Sequence, residues 1–300
     1  ELTMPHVVPK SAKKKKIAIA GGGPGGLEAA RVCAERGYDV VLFEAAERTG
    51  GQINLATKVG HRESLSGITR WLDGQVRKRG VDLRLGTPAT AESLEAERAD
   101  IVIVATGGRP NLGVAAASGL VTSSWDILSG KVAPAENVLV YDDYGDHQAA
   151  SVAEFMAERG AMVELATWEQ RIAPLTGITS RPVHIRNLYT HKVMMTTDMR
   201  LIGVQREGNK LVAILRNDYT DAEEERLVDQ VVAEHGALPV DELYFALKPR
   251  STNLGEVDYE AILAGRPQTI AANPGGRFAL YRGGDAVSGR NIHAAIFDSL

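Results

Sequence analysis

A glycine-rich stretch near the start of the chain has the residue types and spacing that bind a dinucleotide. Gly21, Gly23 and Gly26 form the pattern Gly-x-Gly-x-x-Gly, and Pro24 and Gly25 fill the last interval. In such a pattern the first glycine permits a tight turn, the second lets the backbone approach a pyrophosphate, and the third lets a helix pack on a strand. Backbone N–H groups and the positive end of the helix then face the phosphates. The stretch is therefore a candidate diphosphate site.

An acidic residue follows where a ribose contact is expected. Glu44 lies 18 residues after Gly26, at the end of a predicted strand. A carboxylate there accepts hydrogen bonds from ribose hydroxyls and repels a 2′-phosphate. Ala30 and Gly37 extend the glycine pattern, because a small residue keeps the helix close to the sheet. The alternative is a glycine-rich turn without a ligand, which the surrounding strand, helix and acid disfavour.

Later segments add candidate cofactor contacts. A glycine pair in the loop 48–52 would let a cofactor pass close to the backbone, although a plain turn is the alternative. An aspartate follows a predicted strand and two glycines, where a carboxylate would hydrogen-bond a ribityl hydroxyl. A histidine lies where the closing helix would meet a flavin. These candidates are Arg48, Gly50, Gly51, Gln52, Gly284, Asp285 and His293.

Alternating strands and helices must position these residues. Apolar runs predict strands at 16–20 and 39–43 around a helix at 25–36. From residue 137 the order begins again, with strands at 138–141 and 161–166 around a helix at 149–158. The remaining predicted elements are a helix at 62–79, strands at 81–85, 100–104, 227–233 and 278–281, short strands within 193–215, and a last helix from 291.

A literal repeat relates the two β/α units. The sequence Ala-Glu-Arg-Gly occurs at 34–37 and again at 157–160, each time before the second strand of its unit. The repeat predicts an α/β fold with two Rossmann-like dinucleotide-binding domains of the three-layer ββα type, the second inserted into the first. We predict a linker at 1–15, a first domain at 16–132 and 275–300, and a second domain at 133–274.

The second unit has lost the glycine pattern. When Gly160 is aligned with Gly37, the three glycines and the acid fall on Tyr144, Asp146, Ala149 and Thr167. Three aspartates in the loop 142–147 would face a pyrophosphate. Two like charges 4 Å apart cost about 1 kcal/mol in water and more at a lower dielectric constant. The sequence favours a domain kept for packing or partner contact, and nucleotide binding by another loop geometry is the alternative.

The composition excludes several classes of protein. A net charge of −4 over 300 residues gives no reason to expect nucleic-acid or membrane-surface binding. No apolar run approaches the roughly 20 residues that span a bilayer. The single cysteine, Cys33, excludes a redox-active cysteine pair and a cysteine-held iron–sulfur cluster within this chain, fits a cytoplasmic protein and is predicted to be a small core residue. Because the chain starts at Glu1 and stops inside a helical pattern, we expect a fragment.

The histidines do not predict a metal site. None of the pairs among the seven has metal-ligand spacing with supporting carboxylates or thiolates. We predict a surface or structural role for His184 and His191, and a local hydrogen bond from His147 to Asp143 or Asp146. No catalytic acid or base is predicted.

Several of these motifs together resemble a known family. Residues 16–47, the loop 48–52, Ala105-Thr106-Gly107 and Gly284-Asp285 resemble the C-terminal half of the large Old Yellow Enzyme-type NADH:flavin oxidoreductases. These include trimethylamine and dimethylamine dehydrogenases, 2,4-dienoyl-CoA reductase and N-methylproline demethylase-like proteins. The resemblance implies that the first domain binds FAD, or ADP alone, with Ala105, Thr106 and Gly107 among the contacts, and that the second domain is NAD(P)-binding-like.

The resemblance also implies parts that lie outside these residues. FMN and a [4Fe–4S] cluster would belong to an N-terminal β/α-barrel half of the same polypeptide, and amine dehydrogenases of this kind pass electrons to an electron-transferring flavoprotein. The Asp-rich second loop departs from the NADPH-using pattern, which favours a demethylase of N-methylproline or a related betaine. The alternatives are an NAD(P)H-dependent reductase of the dienoyl-CoA reductase kind and a non-redox ADP-binding docking module.

Overall fold

The computed structural model describes residues 7–113 and 118–299. They form two compact units: unit 1 takes its residues from Glu1–Asn54, Leu65–Arg109 and Leu238–Leu300, and unit 2 from Leu55–Ser64 and Pro110–Ala237. The second unit is inserted into the first, as predicted. The boundaries differ from the predicted ones at 132/133 and 274/275, and the short segment 55–64 also joins unit 2.

Within the described residues, strands and helices alternate in both units. The strands are β1 Lys16–Ala20, β2 Asp39–Phe43, β3 Asp82–Arg84, β4 Ile101–Val104, β5 Gly108–Pro110, β6 Val121–Ser123, β7 Asn137–Asp142, β8 Met162–Thr167, β9 Met194–Thr196, β10 Met199–Glu207, β11 Lys210–Asn217, β12 Glu223–Val228, β13 Gln230–Glu234, β14 Ala237–Pro239 and β15 Ala279–Arg282. The α-helices are α1 Pro24–Glu35, α2 Ile53–Ala56, α3 Ser66–Lys78, α4 Ala91–Ala96, α5 Ser124–Leu128, α6 His147–Ala157, α7 Arg181–Thr190, α8 Glu242–Leu247, α9 Tyr259–Leu263 and α10 Ile292–Phe297.

Unit 1 is built on a five-stranded parallel sheet in the order β15-β4-β1-β2-β3. Both faces of β1 are buried, which explains its continuous apolar sequence. One face packs on α1 and α3 through residues such as Leu27 and Leu72. The other face packs on α4 and α8 through residues such as Leu94 and Leu247. Residues 238–274 belong to this unit because α8 contacts both β15 and α4.

Unit 2 has the three-layer ββα arrangement. Its parallel sheet has the order β6-β13-β7-β8-β9, and an antiparallel sheet β10-β11-β12 packs on one face. Helices α5, α6 and α7 cover the other face. Residues 110–132 belong here because β6 pairs with β13. The α/β fold with two Rossmann-like units is confirmed.

The internal repeat is confirmed at the level of single residues. Gly37 and Gly160 have nearly equal positive φ angles, +92° and +93°, after α1 and α6. Gly23 and Asp146, which the repeat aligns, are both the N-cap residues of their helices. Both units therefore have the same strand–turn–helix backbone, and the residue types in the turns differ.

Two predicted elements are wrong in extent. The predicted strand 227–233 covers the end of β12 and all but the last residue of β13, and these two strands lie in different sheets. Asp229 separates them, and its carboxylate accepts a hydrogen bond from Asn137. The predicted helix 62–79 begins as a 3₁₀ turn, Gly60–Leu65, and becomes α-helical only at Ser66. Among the described residues, none of the helices is long and apolar enough to cross a bilayer.

Candidate functional site

The turn after β1 has the backbone shape that the glycine pattern requires. Gly21 has a φ of +105°, and a Cβ atom there would collide with the carbonyl oxygen of Ala105. A Cβ atom at Gly26 would collide with the carbonyl oxygen of Gly21, so α1 approaches the turn as closely as the third glycine allows. Gly23 caps α1 in an extended conformation, and a Cβ atom there would meet nothing within 4 Å. The turn is closed at two glycines and open at the one expected to face a pyrophosphate.

Glu44 is joined to this turn. Its Oε2 atom accepts a 2.6 Å hydrogen bond from the backbone N–H of Gly22, and Oε1 accepts one of 2.8 Å from Ala46. The residue follows β2 directly, beside β1 in the sheet. The carboxylate is therefore held at the rim of the turn, where a ribose next to a bound pyrophosphate would lie.

The loop 48–52 lies against the same turn. The backbone N–H of Gly50 donates to the carbonyl of Gly22 at 2.9 Å, and a Cβ atom at Gly51 would lie 3.2 Å from the Cα atom of Gly23. Both loop glycines have positive φ, which explains why the pair is glycine. Arg48 is exposed on this loop.

The ends of β4 and β15 meet the same loops. Gln52 donates a 2.8 Å hydrogen bond from Nε2 to Asp285 Oδ2, and a Cβ atom at Gly107 would lie 3.9 Å from Gln52 Nε2. Thr106 donates from its hydroxyl to the carbonyl of Val240. Gly284, with a φ of +61°, turns the chain before Asp285. The carboxyl ends of parallel strands are the usual ligand edge of such sheets.

The predicted site residues thus converge at one edge of unit 1. Those brought together are Gly21, Gly23, Gly26, Glu44, Gly50, Gly51, Gln52, Ala105, Gly107 and Asp285. His293 is exposed on α10, where its ring stacks on Phe297 with centroids 6.1 Å apart, and its contact with a cofactor stays a prediction. The partly buried Cys33 packs on the helical side of the core, and burial raises the pKa of its thiol to about 11.

The corresponding turn in unit 2 is closed by a side chain. Oδ1 of Asp142 accepts hydrogen bonds from the backbone N–H groups of Tyr144, at 3.1 Å, and Gly145, at 2.8 Å. These N–H groups stand where a phosphate-binding loop would offer donors to its ligand. The ring of Tyr144 lies against Gly236, where a Cβ atom would be 2.9 Å from the ring. A carboxylate therefore occupies two backbone donors of this turn, in agreement with the lost glycine pattern.

Two buried carboxylates lie side by side where the parallel strands of unit 2 end. Asp142 and Glu234 are paired neighbours at the ends of β7 and β13, and they are 1% and 3% exposed. Burial raises the pKa of Asp142 to about 6 and that of Glu234 to about 7. The charges of Asp143 and Asp146 add to the rise at Asp142, and the charge of Asp142 adds to the rise at Glu234. Glu234 accepts hydrogen bonds from the hydroxyl of Ser124 and the backbone N–H of Gly236. Sequence reasoning identified Asp142 but missed Glu234, whose polar side chain ends an apolar strand.

The histidines of unit 2 differ most from prediction. His184 is completely buried, so of the predicted surface or structural role the surface part is wrong and the structural part stays a prediction. His147 contacts His184, with Nδ1 2.9 Å from Nε2, and Asp146 is farther away at 3.9 Å. Burial, together with the charge of Arg62 and the neighbouring His184 and His61, lowers the pKa of His147 to about 3. Spacing could not reveal this cluster because its members come from distant segments.

The fold and the site define the class of protein. An inserted pair of Rossmann units, with a dinucleotide turn in the first, is the architecture of a dinucleotide-binding oxidoreductase. A family model described as "NAD(P)-binding Rossmann-like domain" matches residues 19–73, which include the turn and Glu44.

Comparisons that cover the whole of this chain identify the family. The chain is 46% identical over 312 residues to N,N-dimethylglycine/sarcosine dehydrogenase of Chromohalobacter salexigens, covering all of this chain and 45% of that protein. It is 46% identical over 301 residues to a "probable N-methylproline demethylase" of Rhizobium meliloti, covering all of this chain and 44% of that protein. A solved 2-naphthoyl-CoA reductase is 27% identical with a TM-score of 0.81, over 97% of this chain and 40% of that one. The chain belongs to the Old Yellow Enzyme-type NADH:flavin oxidoreductase family, and it spans less than half the length of these relatives.

Proposed function

We propose that unit 1 binds FAD, or the ADP part of it, and that the chain is the electron-transfer part of a flavin-dependent oxidoreductase. The observation that carries this proposal is the turn at Gly21–Gly26, closed at two glycines and open at Gly23, with the Glu44 carboxylate fixed beside it. The redox chemistry would be that of the bound flavin, and the protein binds and orients it.

Each part of the site has a role in this proposal. The N-terminus of α1 and the open backbone at Gly23 receive the pyrophosphate, and Glu44 binds the adenosine ribose. The pair formed by Gln52 and Asp285 offers an amide and a carboxylate to the ribityl chain. We assign no proton transfer to these residues.

We further propose that the whole protein oxidises an N-methyl amine. The names of the two relatives at 46% identity, a dimethylglycine/sarcosine dehydrogenase and an N-methylproline demethylase, support this substrate class. FMN and a [4Fe–4S] cluster would then belong to a barrel half outside these 300 residues, and an electron-transferring flavoprotein would accept the electrons. The occupied backbone donors around Asp142 support electron export over NAD(P)H use.

The absorbance spectrum of the gently purified chain tests the cofactor proposal. We expect bands near those of oxidised flavin and a released ligand with the mass of FAD. Release of ADP without flavin bands would support the docking-module alternative. A chain without flavin or adenine nucleotide, even after incubation with FAD, contradicts the proposal.

Addition of NADH and NADPH tests the direction of electron flow. We expect no rapid bleaching of the flavin bands under anaerobic conditions, because the Asp142 carboxylate already accepts from two backbone N–H groups of the second turn. Rapid bleaching by either nucleotide would support the reductase alternative and contradict electron export.

A further inference from the structure

Unit 2 contains a compact cluster of side chains that the dinucleotide site does not use. His61 lies on the 3₁₀ turn Gly60–Leu65, Glu154 on α6 and His184 on α7. One nitrogen from each histidine and one carboxylate oxygen lie within 4.8 Å of one another. His61 Nδ1 is 3.0 Å from Glu154 Oε1, and His184 Nδ1 is 3.5 Å from Glu154 Oε2. Three segments that are distant in sequence thus bring two imidazoles and one carboxylate to one point.

Two atoms of this cluster are buried without a hydrogen bond in the described part of the chain. They are Oε2 of Glu154 and Nδ1 of His184, whose side chains are 1% and 0% exposed. Their separation of 3.5 Å is too long for a well-formed hydrogen bond. A buried acceptor without a hydrogen bond lowers the stability of the folded protein by about 1–3 kcal/mol. A group that bridges Glu154 Oε2 and His184 Nδ1 would remove this cost for both atoms.

The other polar side-chain atoms of Glu154 and His184 contact neighbouring residues outside the cluster. Asn187 donates a 2.7 Å hydrogen bond to Oε1 of Glu154, which directs Oε2 toward His184. His147 Nδ1 lies 2.9 Å from His184 Nε2 and can accept its proton. Metal-binding histidines commonly donate their second N–H to such an outer acceptor, and this fixes the tautomer that leaves the other nitrogen free to bind a metal.

We propose that His61, Glu154 and His184 bind a divalent transition-metal ion of the Zn²⁺ type. Two imidazole nitrogens and one carboxylate oxygen are an established ligand set for zinc. Ligand atoms about 2.1 Å from a tetrahedral zinc ion are about 3.4 Å apart, close to the distances in the cluster. His61 is the exposed member of the cluster. The ion would enter from the side of His61, and a water molecule would complete its coordination there.

The ion would connect a short segment to the body of unit 2. His61 belongs to residues 55–64, whereas Glu154 and His184 belong to helices on one face of the second sheet. Arg62 interacts with the charges of Asp146 and Glu154, and its positive charge opposes the binding of a cation. We therefore expect Arg62→Gln to tighten metal binding.

Titration of the metal-free chain with Co²⁺ and Zn²⁺ tests the proposal. We expect one equivalent of Co²⁺ to give visible d–d bands, Zn²⁺ to displace it, and Zn²⁺ to raise the Tm by binding the folded state. Glu154→Gln and His184→Gln should abolish the bands and the Tm shift. Asn187→Ala, which removes an outer partner, should weaken binding by about 10–100-fold.

Matched controls lie directly after the same two helices. Glu158 and His191 form a partly exposed pair 3.8 Å apart, and Glu158→Gln and His191→Gln should leave metal binding unchanged. If the substitutions of the buried residues unfold unit 2, His61→Asn tests the proposal instead. This substitution removes a ligand at an exposed position and does not disturb the core. Absence of a stoichiometric metal, or equal binding by wild type and His61→Asn, overturns the proposal.

Discussion

The Glu44 carboxylate accepts a 2.6 Å hydrogen bond from the backbone N–H of Gly22, across 22 residues of sequence. This bond joins the end of β2 to the turn after β1, so the acid proposed to bind ribose also fixes the turn proposed to bind pyrophosphate. A site whose groups are already held in place loses less conformational entropy when its ligand binds.

Gly23→Ala should remove the cofactor and leave the fold intact. The added methyl group meets no protein atom within 4 Å, and the φ of −71° at Gly23 is ordinary for alanine. It would occupy the space assigned to the pyrophosphate, so we expect FAD to bind at least about tenfold more weakly, a loss of about 1.4 kcal/mol. Gly67→Ala, another position where a Cβ atom meets nothing within 4 Å, is the control. Equal flavin content in both variants would contradict the assignment.

Glu44→Gln should weaken both the turn and the adenosine contact. One oxygen that accepts from a backbone N–H, at Gly22 or Ala46, is replaced by an amide NH₂, and a hydrogen bond to a charged acceptor contributes about 1.5–3 kcal/mol. We expect a lower Tm and about tenfold weaker binding of FAD and of ADP by calorimetry. The exposed neighbour Glu47 offers the control Glu47→Gln. If Glu44→Gln lowers the Tm but leaves ADP affinity unchanged, the ribose contact is wrong.

Glu234→Gln should make unit 2 more stable at alkaline pH. Burial raises the pKa of Glu234 to about 7, so the folded state holds a proton that the unfolded chain releases near its usual pKa of about 4.5. The stability from this proton is fully present below about pH 4.5 and is lost as the pH rises through about 7. At pH 8 the variant should be about 1–3 kcal/mol more stable than wild type, and at pH 4 nearly equal.

Denaturant unfolding of wild type and Glu234→Gln between pH 4 and pH 8 measures this effect. Some pH dependence should remain in the variant, because Asp142 is still buried beside the substituted residue. Parallel stability curves for the two proteins would show that Glu234 does not titrate in this range.

Asn253→Ala should destabilise unit 1 strongly. The side chain is 1% exposed and holds β15 through hydrogen bonds to both the N–H and the C=O of Leu280, at 2.8 and 2.9 Å. Alanine would leave these buried backbone groups without their side-chain partner, and we expect a loss of about 2–4 kcal/mol. Thr269→Ala, at an exposed position of the same unit, should have little effect on denaturant unfolding. A change below 1 kcal/mol for Asn253→Ala would contradict this role.

The sequence predicted best where local pattern and tertiary fold agree. The bounds of β1 and β2 match the prediction because continuous apolar runs end at a glycine turn and at an acid. The loops that carry the predicted site residues converge because the parallel strands before them end at a common edge. Strands β12 and β13 were merged because the polar pair Asp229-Gln230 between their apolar residues does not by itself mark a change of sheet. The cluster around Glu154 was missed because its ligand atoms meet only after distant segments pack together.

The buried side chain of Val59 limits how unit 2 can be produced on its own. Val59 is fully buried in the core of unit 2, although residues 55–64 lie between two parts of unit 1 in sequence. Unit 2 therefore cannot be excised as one continuous stretch without losing a piece of its own interior. A recombinant fragment that begins at residue 110 would leave a hole where Val59 packs and would lack His61, so autonomous folding of this unit requires the decapeptide to be grafted back.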